Sequence, residues 1–342
     1  MKLGIIGLSR SGKATVFEAL TGTSATGAHR SEDRIGTVRV PDERVDRLSA
    51  MYDPKKTAYA QVEYFLPGNQ GGKPDKDQLF WTAVRDSDAL IHVVRNFGGY
   101  GFEPPQPVKD VAAMDQEMIL ADLAVVEKRI ERIDQERRRG RKVSEEEHSL
   151  LLRCQERLEA EEPLRHDSEL ATASPLRGYA FVSAKPLLVL FNNEDEDDSQ
   201  PDVGDLSERE DCMVVRAKLE QELGQMAEDE VAGFLEEFNV TASAMDRVIR
   251  RSYRLQGLIS FFTVGDDEVK AWTIRRDTEA IEAAGVIHSD IKKGFIRAEL
   301  VAYDDLMAAG TYVEARKRGT VRLEGKAYKM ADGDIVNFRF NV

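Results

Sequence analysis

Gly7-Leu8-Ser9-Arg10-Ser11-Gly12-Lys13 decides the fold. The stretch has the form GxxxxGK. It follows an apolar run at residues 3–6 and precedes a helical stretch that begins near Val16. A buried strand, a glycine loop and a helix in that order make a phosphate cradle. Glycines let backbone N–H groups turn inward around phosphate oxygens, the helix N-terminus adds the positive end of its dipole, and Lys13 supplies a point charge. The bland reading is a glycine-rich turn with a surface lysine. Placement directly after an apolar strand favours the phosphate loop. The next residue in such loops is Ser or Thr, whose hydroxyl ligates Mg²⁺. Here it is Ala14, and a methyl group cannot coordinate a metal. Thr15 carries a hydroxyl one position late, and each helical residue turns by about 100°.

Outward from the loop, residues 37–40, 89–94 and 187–191 read as further buried strands with helical segments between several of them. Alternating strands and helices predict an α/β domain with a mainly parallel sheet, at residues 1–110 and 173–256. The pattern changes over residues 111–172. Ile119, Leu123, Val126, Ile130 and Ile133 recur four and three apart, which is a heptad seam. The Arg-rich turn Arg137-Arg138-Arg139-Gly140-Arg141-Lys142 follows, and Leu151, Cys154 and Leu158 continue the seam on a second helix. This predicts an inserted antiparallel coiled-coil hairpin whose arms of about 25 residues reach about 37 Å. Residues 257–342 alternate short β-like runs (259–264, 294–300, 334–340) with short helical ones, a separate small α+β domain.

The chain has 342 residues, enough for two or three domains. Its formal net charge of -14 repels phosphate overall and disfavours diffuse nucleic-acid binding. The acidic loop at 194–211 reads as a solvated surface. Cys154 and Cys212 lack CxxC spacing, and His29, His92, His148, His166 and His288 show no HExxH arrangement. All seven read as structural or surface positions rather than metal ligands. Trp81 and Trp272 sit in apolar contexts and read as core. No apolar run approaches the roughly 18 residues that span a bilayer. The apolar start is too short for a signal peptide. A cytoplasmic monomer without membrane contact is expected.

Several longer stretches carry a family resemblance. They are the loop itself, Ile35-Gly36-Thr37-Val38-Arg39-Val40-Pro41-Asp42-Glu43-Arg44, and Asp88-Ala89-Leu90-Ile91-His92-Val93-Val94-Arg95-Asn96-Phe97. Near the end come Lys270-Ala271-Trp272-Thr273-Ile274, Lys293-Gly294-Phe295-Ile296-Arg297 and Asp332-Gly333-Asp334. Over essentially its whole length the chain resembles the YchF (Obg-like ATPase) family. That resemblance implies a P-loop GTPase-like sheet, a coiled-coil insertion and a C-terminal β-grasp (TGS) domain. It further implies slow ATP or GTP hydrolysis, with ATP frequently preferred, and association with ribosomes or translation and stress regulation.

The resemblance also assigns positions. Gly7, Ser9, Arg10, Ser11, Gly12, Lys13, Ala14 and Thr15 would hold the phosphates. Asn192 and Asp195, in Asn192-Asn193-Glu194-Asp195, would face the base, with Ala217 and Lys218 packed beside it. Asp195 makes GTP possible where the family often has Glu; the base stays open. Asn193 stands where ordinary GTPases have a stacking lysine. Three positions that serve Mg²⁺ are changed: Ala14, Arg30 in place of the switch threonine, and Phe65 in place of the DxxG aspartate ahead of Gly68. The expected protein binds ATP or GTP with Mg²⁺ weak or absent, has impaired hydrolysis, and meets a ribosome or RNA through the 137–142 tip and the TGS domain. Two alternatives stay open: a slow NTPase with a rearranged metal site, in which Asn69 orients water, and a scaffold with a relic loop.

Overall fold

A computed structural model describes residues 2–23, 32–68, 74–99, 103–226 and 244–341. In chain order the elements are β1 (Lys2–Ile6), α1 (Lys13–Thr21), β2 (Arg34–Arg39), α2 (Glu43–Tyr52), β3 (Lys56–Ala58), β4 (Gln61–Leu66) and α3 (Pro74–Arg85). Then follow β5 (Ala89–Asn96), α4 (Pro107–Arg138), α5 (Glu145–Glu159), α6 (Ser168–Thr172), β6 (Leu187–Asn193), α7 (Leu206–Arg209), β7 (Asp211–Val215) and α8 (Ala217–Leu223). The C-terminal strands are β8 (Leu258–Thr263), β9 (Glu268–Arg275), β10 (Phe295–Ala302), β11 (Arg322–Glu324) and β12 (Asp334–Phe340).

The first sheet has the order β2-β4-β1-β5-β6-β7. β1 runs parallel to β4 and β5, and β5, β6 and β7 continue in parallel. Strands buried on both faces read as unbroken apolar runs, and all seven residues of β6 are buried. Trp81, Val84, Leu90, Val94, Leu187 and Phe191 belong to one core under this sheet. The second sheet, β11-β10-β12-β8-β9-β3, is the C-terminal β-grasp module. Its strands pair antiparallel except at β12–β8 and β3–β9. Ile259, Phe261, Leu300 and Phe338 fill its core, with Trp272 packed against it.

The chain forms two compact units, residues 1–37 with 63–248 and residues 38–62 with 249–342. Residues 38–62, expected with the N-terminal domain, cluster with the C-terminal one. The cause is long-range pairing. β3 registers Lys56, Thr57 and Ala58 against Glu268, Val269 and Lys270 of β9. Arg44 on α2 donates to its own N-cap Asp42 and, at 3.0 Å, to Asp332.

The hairpin's paired length is shorter than the expected arm of about 25 residues. α4 has 32 residues and α5 only 15, so the paired length is about 22 Å. The first turns of α4 lie on the sheet, where Val111, Met114 and Met118 join the core of β5 and β6. Only the outer seam, Ile119, Val126 and Ile133, packs with Leu151, Cys154 and Leu158. α5 starts at a Ser144 cap that accepts the Glu147 N–H, and Glu145, Glu146 and Glu147 complement the helix dipole.

Asp122 fixes the root of this arm. Its carboxylate is fully buried and accepts from Arg85 Nη1 at 2.8 Å, from the N–H groups of Val182 and Ser183, and from Ser183 Oγ. Removing it takes the counter-charge from Arg85, which keeps only backbone carbonyls, and leaves two buried backbone donors without an acceptor. Asp122→Ala is expected to cost about 3 kcal/mol, seen as a lowered urea midpoint with an unchanged slope. A shift below about 0.5 kcal/mol would show that the cluster does not hold the arm.

Candidate nucleotide-binding site

The loop closes at the C-terminal end of β1. Gly7 (φ 148°) and Gly12 (φ 95°) both take backbone angles that side chains disfavour. Each is also crowded: a Cβ on Gly7 would lie 2.4 Å from Val93 O, and one on Gly12 would lie 2.2 Å from Asn192 Nδ2. Gly12 is the N-terminal cap of α1, so the free N–H groups of that helix open onto the loop. Ser9, Arg10 and Ala14 are exposed, and Ser11 is buried. Lys13 Nζ donates to the loop's own carbonyls, Gly7 O at 2.6 Å and Leu8 O at 2.7 Å. Burial pushes its pKa down to about 8, against the raising attraction of Glu117 on α4.

Beside the loop lies a cavity of about 600 Å³. It brings together Gly12, Thr15, Asn192, Asp195 and Lys218 from the expected set. Asn192 is the brace of the site. Its Nδ2 donates to Ser11 O at 3.1 Å and its Oδ1 accepts the Ala217 N–H at 3.1 Å. Asp195 accepts the Leu219 N–H at 3.2 Å, and Lys218 Nζ lies 3.5 Å from its other oxygen. Asn193 also lines the cavity, but it is buried and its amide is engaged, accepting from Asn96 Nδ2 and donating to Ser199 O. Sequence reasoning gave no role to Phe97, which lines the same cavity. Its only sequence signal is its place just past the last residue of a buried strand. Glu194 accepts the Gly98 N–H at 2.8 Å and pins that wall.

The chain is 36% identical to the "Ribosome-binding ATPase YchF" of Bacillus subtilis (strain 168), covering 99% of both proteins. It is 33% identical to the protein of that name from Escherichia coli O157:H7, covering 100% of this chain and 99% of the relative. The chain belongs to the YchF family. Residues 258–341 match the family model YchF-GTPase_C, described as a protein of unknown function (DUF933). The solved structure of the Schizosaccharomyces pombe YchF GTPase superposes with a TM-score of 0.84 at 27% identity, covering 99% of this chain and 97% of that one.

Of the positions that the resemblance assigns to Mg²⁺, two carry side chains with no atom that ligates a metal. Ala14 presents a methyl group. Phe65 is a core residue of β4, with the Lys2 ammonium 3.9 Å from its ring centroid. Thr15 lines the cavity beside Asn192. Gly68 keeps its place after β4, and its N–H is taken by Asp33 Oδ1 at 2.8 Å. Arg30 and Asn69, like His29, lie outside the described residues. His92 is a fully buried residue of β5, where burial, then Arg165 and Lys13, push its pKa down to about 3. Among the described residues no group of three or more His, Cys, Asp or Glu is placed to hold a metal, and no helix is long and apolar enough to cross a membrane.

The depressed Lys13 pKa has a measurable sign. Above pH 8 the free amine is increasingly neutral, whereas a phosphate in the loop favours the ammonium. Nucleotide binding at about pH 8.5 is therefore expected to take up a substantial part of one proton, and almost none at about pH 6.5. Calorimetry in buffers of different ionisation enthalpy reads this directly. Equal enthalpies in all buffers at the higher pH would remove Lys13 from the phosphate contact.

Proposed function

We propose that this YchF-family chain is a purine-nucleotide-binding regulator that docks on the ribosome and hydrolyses triphosphate poorly. The intact glycine-lysine loop braced by Asn192 supports nucleotide binding. The observation that carries poor hydrolysis is the pair Ala14 and Phe65, a methyl and a buried phenyl at positions that serve Mg²⁺. In phosphoryl transfer the metal neutralises β- and γ-phosphate charge. Lys13 and the helix N-terminus remain to do so, and they hold a phosphate without supplying the missing divalent charge.

The relatives' shared name, ribosome-binding ATPase, favours ATP and a ribosomal partner. The base side agrees. Both Asp195 oxygens are engaged within the protein, so guanine N1–H and N2–H would compete with Leu219 N–H and Lys218. Phe97, which lines the same cavity as Asn192, supplies a flat apolar ring against which a purine would stack.

At saturating ATP the wild type gains about 2.7 kcal/mol at 100 times Kd, read as a rise in Tm. Lys13→Ala is expected to abolish the rise. Phe97→Ala is expected to weaken binding by about 1 kcal/mol. Phosphate release is expected to stay near background in the wild type and in both variants. Fast release, lost in Lys13→Ala, would overturn the hydrolysis part of the proposal. No Tm rise with any purine nucleotide would overturn the binding part.

A further inference from the structure

A second groove, of about 710 Å³, lies at the root of the helical arm, away from the phosphate loop. Its walls are the first half of α4, the turn after α5 and the segment around α7. Val111, Ile119 and Val203 give it a buried apolar floor, and Val108 stands half exposed at its edge. One wall is fixed in place. Arg165, with 6% of its side chain exposed, is gripped by Asp115 at 2.7 and 2.9 Å and by Glu210 at 2.7 Å. The groove is therefore built before any partner arrives.

Its charge is lopsided. Asp115, Glu161, Glu162, Asp205 and Glu210 line it against Arg157, Arg165 and Arg209. Glu162 and Asp205 are paired with Arg157 and Arg209 at the rim. Glu161 has no ion-pair partner among the described residues. It also holds φ 60° just past the end of α5, with its N–H on Leu158 O. That left-handed cap position is the one glycine takes freely. The sequence places a carboxylate there at a conformational cost, on the rim of an apolar groove. The α7 wall contributes Asp205 and Glu210, so the lining carries five carboxylates against three guanidiniums.

The far end of the arm has the opposite character. Arg138, Arg139, Arg141 and Lys142 make no ion pair among the described residues, and Arg137 pairs with Glu145 at 2.8 Å. The tip offers unpaired cations to an anion, and the root offers the unpaired Glu161 carboxylate to a cation. We infer that the root groove docks a lysine- or arginine-bearing polypeptide segment that anchors apolar side chains on the Val111 and Ile119 floor. The inference deepens the ribosome-docking proposal by assigning protein, not RNA, to this end of the arm, and it rests on that reading.

The test uses the full chain and a fluorescent amphipathic peptide of about 18 residues, with leucines three and four apart and lysines between them. A control peptide carries glutamate in place of lysine. The lysine peptide is expected to bind, and to weaken as salt rises from about 50 to about 200 mM. Glu161→Gly should weaken it by about fivefold while raising Tm, so that lost binding is not lost folding. Val108→Lys should abolish it. Equal binding of both peptides, or no change in Glu161→Gly, overturns the inference. Ribosome cosedimentation separates it from the broader proposal. Pelleting weakened by both groove variants supports the groove's use on the particle, and pelleting indifferent to both overturns it. Wild-type chain that does not pellet at all defeats the ribosome reading, while the peptide titration still decides the groove.

Discussion

Asn192 joins two loops with a single amide. Its nitrogen holds Ser11 O in the phosphate loop and its oxygen holds the Ala217 N–H at the start of α8. The residue is 5% exposed, so neither bond is diluted by water. This one side chain sets the distance between the phosphate cradle and the base cavity. It also explains why position 12 is glycine: the amide occupies the space a Cβ would need. Phe97 and Asp195 take their places around that fixed frame.

The electrostatics of the cradle follow from what remains in it. A triphosphate brings several negative charges to a chain that is already at -14. Ordinarily a divalent ion meets part of that charge. On the proposed reading of Ala14 and Phe65, the burden would fall on backbone N–H groups, the α1 terminus and Lys13. Lys13 donates to Gly7 O and Leu8 O, and burial lowers its proton affinity. The lysine is thus held at the loop by neutral dipoles, ready to exchange them for an anion.

Much of this was legible in the sequence, because the signals were local. The GxxxxGK spacing, the apolar runs of β5 and β6 and the seam from Ile119 to Ile133 each report on neighbours within one element. Other features depend on contacts between distant residues and leave no local mark. β3 is three partly exposed residues whose pairing with β9 moves a whole segment into the other compact unit. The seam from Ile119 to Ile133 packs as expected, but the arm is shorter than about 25 residues because Val111, Met114 and Met118 ahead of it lie on the sheet. Phe97 reads as one more apolar residue until the cavity beside Asn192 shows what it lines. Asn193 invites a stacking role by its position, yet its amide is spent on Asn96 and Ser199.

The most direct measurement is the affinity for ATP by titration calorimetry, once with Mg²⁺ and once with a chelator. Dissociation constants that agree within about threefold are expected, since the cup of glycines, helix terminus and lysine does the holding. A fall of about 100-fold or more in the chelator would mean that a divalent ion, anchored by residues other than Ala14 and Phe65, carries the phosphate charge after all.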